Sequence, residues 1–567
     1  MGTTISDAIK EAWRRPSWRR RIEGEGRMIV DQRFMHEALT RWNYFPNQKQ
    51  SVGELPPWFQ TRRFTPEIAN ILAGLPLDKR RRREGFDLVE YRATRYSNVP
   101  RILGLIHPKA YALLAQTISN NFNNIQGVLE NPSSAVKPEW HNDGRIIIMN
   151  YDSQDTKVQR QTAKGFGNRF RVHTDISHCF SSIYTHAIEW AVQGVEEAKI
   201  ARFAGNQAAA HWACELDKAQ SRCKRCETQG IPIGPATSSI IVELILHKID
   251  ERLRNEGFDH IRYVDDYSCS CSTHEHAQKF LQILDHELRR FRLSLNLHKT
   301  EIIELPEPIS EDWVSNLCLN FPTTRDREGN NDSISRSDAL TFLDHAVRLN
   351  KSTPDGSVLK FALAMLTANL SDWAAELIFE YTLNLSWHYP IVLPYLDRIA
   401  KSKELFNGPE VGDKINEIIF EHAQHGRSDA MAWGLYYLLK ARKKIGSTTS
   451  EQIINSRDCA ALALLCRFPG QRINILKVVN DEILTGDIHK KDNYWLLLYE
   501  LFRIGKIENP YPGDDTFQIM KNYDVRFIHG DNASSKAEDY CRYFDIEFQV
   551  FGNPEDVPDF ETYAKTV

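Results

Sequence analysis

Two adjacent aspartates, Asp265 and Asp266, interrupt a run that otherwise favours extended backbone, from Ile261 through Tyr263-Val264-Asp265-Asp266-Tyr267 to Ser268-Cys269-Ser270-Cys271. Aromatic and β-branched residues on both sides of an acidic pair predict strand, tight turn and strand. Like charges a few ångströms apart repel, so such a tip is costly unless something positive neutralises it. A divalent ion does this well. Taken alone, an Asp-Asp pair is most often an ordinary turn.

A second acidic strand end lies upstream. In Phe170-Arg171-Val172-His173-Thr174-Asp175-Ile176 the apolar residues and Thr174 share one face, and Arg171, His173 and Asp175 share the other. Asp175 is therefore expected on the polar side of a half-buried strand, followed by a helix that carries Ile183, Ala187 and Trp190 on one face. Magnesium prefers an octahedral shell of one or two carboxylates with phosphates and water, so carboxylates from two neighbouring strands suit a pair of ions. Asp265 is the expected partner of Asp175, because neighbouring strand residues point to opposite faces and Asp266 reaches the same side only if the turn twists.

Between the acidic segments lies Gly230-Ile231-Pro232-Ile233-Gly234-Pro235-Ala236-Thr237-Ser238-Ser239. Its glycines permit close approach of a ligand to the backbone. Ser238 or Ser239 is expected to cap a helix bearing Ile241, Ile245, Ile249 and Leu253. A Gly/Pro turn before a core helix explains the same residues. Downstream, Lys299 in Leu295-Asn296-Leu297-His298-Lys299-Thr300 is either a surface lysine or a cation suited to a polyphosphate.

The chain's 567 residues predict two or three domains. Residues 1–90 are expected to form an extension, 91–305 an α+β unit, 306–337 a linker and 338–567 an α-helical, repeat-like unit. The linker rests on the polar run from Thr323 to Ser337, and the helical unit on spacings such as Leu340, Leu343, Ala346 and Val347. Residues 1–110 hold 21 Lys and Arg against 12 Asp and Glu, although the whole chain carries a net charge of -4. A basic end suits a polyanion, and Lys79-Arg80-Arg81-Arg82-Arg83 is either a phosphate contact or a solvated cluster. No apolar run approaches the roughly 18 residues of a membrane span, and the charged stretch from Met1 to Arg21 lacks an apolar signal core, which predicts a cytoplasmic location. The ten cysteines follow no disulfide framework. Cys223-Lys-Arg-Cys226 is a weak zinc signal without a convincing second pair.

Taken in order, Asp175 with Phe180, the Gly230–Ser239 segment, Tyr263–Asp266 and Leu295–Thr300 resemble motifs A, B, C and D of reverse transcriptases. The resemblance implies a right-hand polymerase with fingers and palm over residues 91–305. It implies two Mg2+ ions, replaceable by Mn2+, held by a ligand set of Asp175, Ile176, Asp265 and Asp266. Lys299 joins the catalytic residues, and Gly234 and Ser238 lie in the loop and helix under the templating base pair. Phe180 matches the aromatic gate that excludes a ribose 2′-hydroxyl, so the implied substrates are dNTPs, with Arg101 contacting the triphosphate. The loop departs from the commoner members at Ile233 and Ser239, where they carry Gln and Pro. The stretch Asp175-Ile-Ser-His-Cys-Phe180-Ser-Ser-Ile-Tyr-Thr-His-Ala-Ile and the helical C-terminal part are similar to the bacterial abortive-infection and other defence-associated reverse transcriptases. That group implies antiphage defence and, in some members, untemplated DNA synthesis primed from a protein tyrosine, which leaves the DNA covalently attached. Among 20 tyrosines, Tyr44 included, no local motif marks a primer. A retron-like or intron-like enzyme copying an RNA template, and an inactive nucleic-acid-binding scaffold, stand as alternatives. A homo-oligomer and a companion non-coding RNA fit the same reading.

Overall fold

The computed structural model describes residues 31–46, 53–95, 99–140, 146–151, 154–203, 211–309, 311–322, 334–354, 357–368, 370–400 and 404–530. Most of the basic stretch from Met1, most of the polar linker and the end of the chain lie outside these residues. Two hairpins come first: β1 (Leu88–Thr94) pairs antiparallel with β2 (Pro100–Ile106), and β3 (Val136–Trp140) with β4 (Ile146–Tyr151). A four-stranded antiparallel sheet follows, with β5 (Phe170–Asp175), β6 (His260–Tyr263), β7 (Asp266–Cys271) and β8 (Glu301–Glu304) in the order β6-β7-β5-β8. Helices Ala236–Asn255 and His274–Arg290 pack on it through buried Ile245, Ile249, Phe280 and Leu284. From Arg336 onward every named element among the described residues is helical. The α+β class with a helical C-terminal region is therefore observed. No described helix is long and apolar enough to cross a membrane.

The helix expected over Ile183, Ala187 and Trp190 is broken. A four-residue turn at Cys179–Ser182 is followed by extended chain, and the next helix starts at Ala187. The cause is competition for the backbone: Gly230 N donates to Ile183 O (2.8 Å) and Thr185 N to Thr228 O (2.9 Å), so these groups pair across to the glycine loop instead of along a helix. Ser238 and Ser239 are not caps either. Pro235 occupies the N-cap position, and Ala236 N donates to Asn43 O (3.0 Å). A carbonyl of the N-terminal extension thus satisfies a donor that a serine side chain was expected to take.

The basic run forms a short helix, Lys79–Glu84, after Asp78, whose side chain accepts from Arg81 N. Arg81 points inward. Its guanidinium grips Asp492 at 2.5 and 2.8 Å, with both side chains buried, and lies 4.1 Å from the centre of the Phe86 ring. Arg80 pairs with Glu84. Arg81 therefore serves the fold rather than a phosphate. The predicted linker also contains structure, a helix at Asp312–Leu319.

Hydrogen bonds run from the C-terminal helices to the first hairpin. Ser428 Oγ accepts from Arg92 N (2.8 Å), Asp429 accepts from Thr94 N (2.7 Å) and Thr94 Oγ1 (2.9 Å), and Trp495 Nε1 donates to Leu105 O (2.9 Å). The N-terminus of helix Ser428–Lys440 thus covers the edge of β1 that β2 leaves open, which removes a site for stray strand pairing. Tyr44, from the extension, stacks on Tyr111 with ring centres 3.8 Å apart and donates to Ile106 O (2.6 Å). Removing one partner of a buried ion pair strands the other, so Asp492→Ala is expected to cost about 3 kcal/mol. Urea denaturation followed by tryptophan fluorescence measures this, and Arg81→Met/Asp492→Leu should recover part of the loss.

Candidate active site

The end of β5 and the β6–β7 turn are adjacent in the sheet. In the antiparallel register Asp175 lies opposite Asp266 and Thr174 opposite Tyr267, and Ile176 N donates to Asp265 O (3.2 Å). Val264, just before Asp265, has φ of 59°, the left-handed backbone that closes this turn in so few residues. From the other side Asn296 N donates to Asp175 O (2.9 Å), and a short turn at Leu297–Lys299 brings Lys299 Nζ to 2.7 Å from Asp175 Oδ2.

The carboxylates are not equivalent. Asp175 is buried, Asp265 half-buried and Asp266 exposed at the rim. Loss of water raises the Asp265 carboxyl, the charge of Asp175 adds to this, and Lys299 and Arg101 oppose it. The same loss of water, with the charges of Asp265 and Asp175, pushes Asp266 up to about 6. Its bond to Asp175 raises Lys299. Arg101, on β2, is therefore close enough to act on Asp265. Lys157, from helix Gln154–Gly165, acts on Asp266 and lies 5.2 Å from the centre of the Tyr263 ring. Nothing in the sequence near Lys157 marks it, because its role follows from packing between distant segments.

The donor set fits a hard divalent cation. All three side chains offer oxygen, they converge from two adjacent strand ends, and Asp175 Oδ1 is buried without a hydrogen-bond partner. Ile176 is buried next to Asp175 and is tied to the turn by its N–H.

The other predicted residues lie around this centre. Phe180 O accepts from Ile231 N (2.9 Å), and Gln229 Nε2 donates to Ser181 O and Ser182 O (3.2 and 3.1 Å), so the glycine loop is stitched to the segment after Asp175. Gly230 has φ of 77°, and a Cβ there would come within 3.1 Å of Ser181 O. Gly234, with φ of 129°, faces the N-terminal extension instead, where a Cβ would lie 2.5 Å from Pro46 Cγ. Ser238 is enclosed in the first turn of its helix, with a hydroxyl that has no partner. The weak zinc pattern gathers no ligand set: the buried Cys223 thiol faces the carbonyls of Ala110 and Ala219. Among the described residues the tight cluster of metal-type ligands is His186, Glu189 and Asp217, in which His186 Nδ1 and Asp217 Oδ2 already pair at 2.5 Å.

The raised Asp266 carboxyl has a pH consequence. The metal-free fold holds this proton more tightly than the unfolded chain does, so stability falls as pH rises from 3.8 through about 6. Asp266→Asn should therefore raise the metal-free melting temperature at pH 7.5 by a few degrees. Millimolar Mg2+ should raise the wild type more than the variant. Differential scanning calorimetry between pH 4 and 8, with and without Mg2+, measures both effects.

Residues 108–343 match the family model described as reverse transcriptase (RNA-dependent DNA polymerase). No curated protein matches the chain. Among solved structures, an apo telomerase from Candida tropicalis, truncated from its C-terminal domain, is 13% identical over 42% of this chain and 53% of its own, with a TM-score of 0.28. A telomerase from Candida albicans in complex with a TWJ fragment of telomeric RNA is 11% identical over 71% of this chain and 68% of its own, with a TM-score of 0.26. The chain thus spans about half the length of the first. The matched segment contains Asp175, the glycine loop, Asp265 and Asp266, and Lys299, and by this match it is a reverse transcriptase domain.

Proposed function

We propose that this chain is a Mg2+-dependent DNA polymerase of the reverse transcriptase type that acts in antiphage defence. The observation that carries the reading is the convergence of Asp175, Asp265 and Asp266 at one end of the β5–β7 pair, with one carboxylate oxygen buried and unbonded. Asp175, Ile176, Asp265 and Asp266 would hold the ions, whose chemistry is to activate a primer hydroxyl and to stabilise the leaving pyrophosphate. Lys299 and Arg101, which offset the carboxylates in the free protein, would turn to the triphosphate, and Lys299 would hold charge on the leaving group or donate a proton to it. Phe180 would exclude a 2′-hydroxyl.

The defence role is supported by the Gly230–Ser239 segment, with Ile233 and Ser239 at its two variant positions, and by the helical region after Arg336. Untemplated, protein-primed synthesis belongs to the same proposal, with one restriction from the fold. Tyr44 is fully buried and bonded to Ile106 O, so its hydroxyl is not available as a primer in this conformation. Templated copying of an RNA is the second reading, and the RNA-dependent family model favours it.

Purified protein supplied with Mg2+ and labelled dNTPs is expected to incorporate label. Asp265→Ala/Asp266→Ala should reduce incorporation to background, equal incorporation would overturn the assignment of these carboxylates, and antiphage protection that survives their removal would leave a binding scaffold. Sequencing the product separates the two polymerase readings: a faithful complement of an RNA means copying, whereas irregular or homopolymeric DNA resistant to phenol extraction means untemplated, protein-linked synthesis. Phe180→Ala should raise incorporation of ribonucleotides relative to deoxynucleotides in a competition assay.

A further inference from the structure

Val264 holds a backbone conformation that a β-branched residue rarely adopts, and this conformation aims the two aspartates that follow it. Its carbonyl is held by Arg262, which is 0% exposed. Arg262 Nη1 donates to Val264 O (2.7 Å) and to Glu243 Oε1 (2.8 Å). Nη2 donates to Glu243 Oε2 (2.8 Å) and Asp250 Oδ2 (2.7 Å), and Nε to the same Asp250 oxygen (2.9 Å). All five guanidinium N–H groups are thus engaged, four on carboxylates and one on the turn.

Glu243 and Asp250 stand two turns apart on helix Ala236–Asn255, the helix that the glycine loop leads into. Asp250 is fixed in turn by His260 Nε2 (3.0 Å) and Asn131 Nδ2 (2.6 Å). The Arg262 backbone is held at Ser133 O and Ala135 N. The guanidinium is therefore immobile before it meets the turn, and the carbonyl it holds belongs to the residue preceding Asp265.

We propose that Arg262 is a positioning residue for nucleotidyl transfer, which fixes the Val264 turn against helix Ala236–Asn255 so that Asp265 and Asp266 are presented to the metal ions. This rests on the polymerase reading and deepens it: a side chain that touches neither substrate nor ion sets metal affinity and turnover. It also joins the glycine loop to the metal site through one helix. Lysine keeps the charge but cannot make the five-donor fork, and glutamine at 243 loosens the fork while leaving Arg262 in place.

The test is Mn2+ binding to the full chain, read from the electron paramagnetic resonance of free Mn2+, alongside melting temperature and kcat and KM for dNTP incorporation. Arg262→Lys is expected to weaken Mn2+ binding roughly tenfold or more, as loss of a residue that orients metal ligands does. The change should lower kcat and leave KM within about twofold. A lower melting temperature with unchanged Mn2+ affinity would overturn the proposal, since a merely structural role predicts that result. If Arg262→Lys does not fold, Glu243→Gln decides the matter: weaker Mn2+ binding supports the proposal and wild-type binding overturns it. Asp265→Asn is the control. If it binds Mn2+ as the wild type does, the metal site itself is lost and the polymerase reading fails, whereas loss of binding in Asp265→Asn with full binding in Arg262→Lys removes the role of Arg262 alone.

Discussion

The antiparallel register of β5 against β7 sets Asp175 opposite Asp266, and the geometry of the site follows from it. Strand side chains alternate with a period of two, so a slip of one residue would turn every side chain to the other face and part the two acidic ends. Val172 on β5, with Tyr267 and Cys269 on β7, is buried and opposes such a slip. With the register fixed, the polar ends of the strands bring negative charge together, and the rest of the site compensates for it. Lys299 bonds Asp175 and acts on Asp265 and Asp266 as well, with Arg101 adding to it at Asp265 and Lys157 at Asp266, each from a different part of the chain.

A second set of contacts holds the scaffold around that sheet. The N-terminal extension wedges Pro46 against Gly234 and lends the Asn43 carbonyl to the helix start at Ala236. The C-terminal helices engage the β1–β2 hairpin through Ser428, Asp429 and Trp495, and through the Arg81–Asp492 pair. Burial pushes Asp429 up to about 6, although bonds from Thr94 and Ala430 pull the other way. The hairpin that carries Arg101 is thus braced by segments more than 300 residues away in sequence, and Arg101 is held near Asp265 as a result.

The acidic strand ends were legible because each rests on local signals. Alternation around Asp175 and the β-branched and aromatic flanks of Asp265 and Asp266 both predict strands, and the structure forms them. Ser238 and the segment after Phe180 were misread for a shared reason. A serine before an apolar run is a good cap only when no other group satisfies the helix N-terminus, and here Pro235 and the Asn43 carbonyl take that place. Ile183, Ala187 and Trp190 have helical spacing, yet the glycine loop claims the backbone near Ile183. The cationic run around Arg81 suits a phosphate contact or a solvated cluster, and Arg81 is neither, because its partner lies 411 residues further on.

By itself the sequence determined the α+β class, the helical C-terminal region and the three carboxylates, since periodicity and turn chemistry act over a few residues and leave local traces. Only the tertiary structure decided which cations gather around the carboxylates, that Arg262 holds the turn before Asp265, and that Tyr44 is withdrawn into the core. Those outcomes depend on burial and on pairings between residues distant in sequence, where the loss of water makes each hydrogen bond and charge pair count and no local pattern announces the partner.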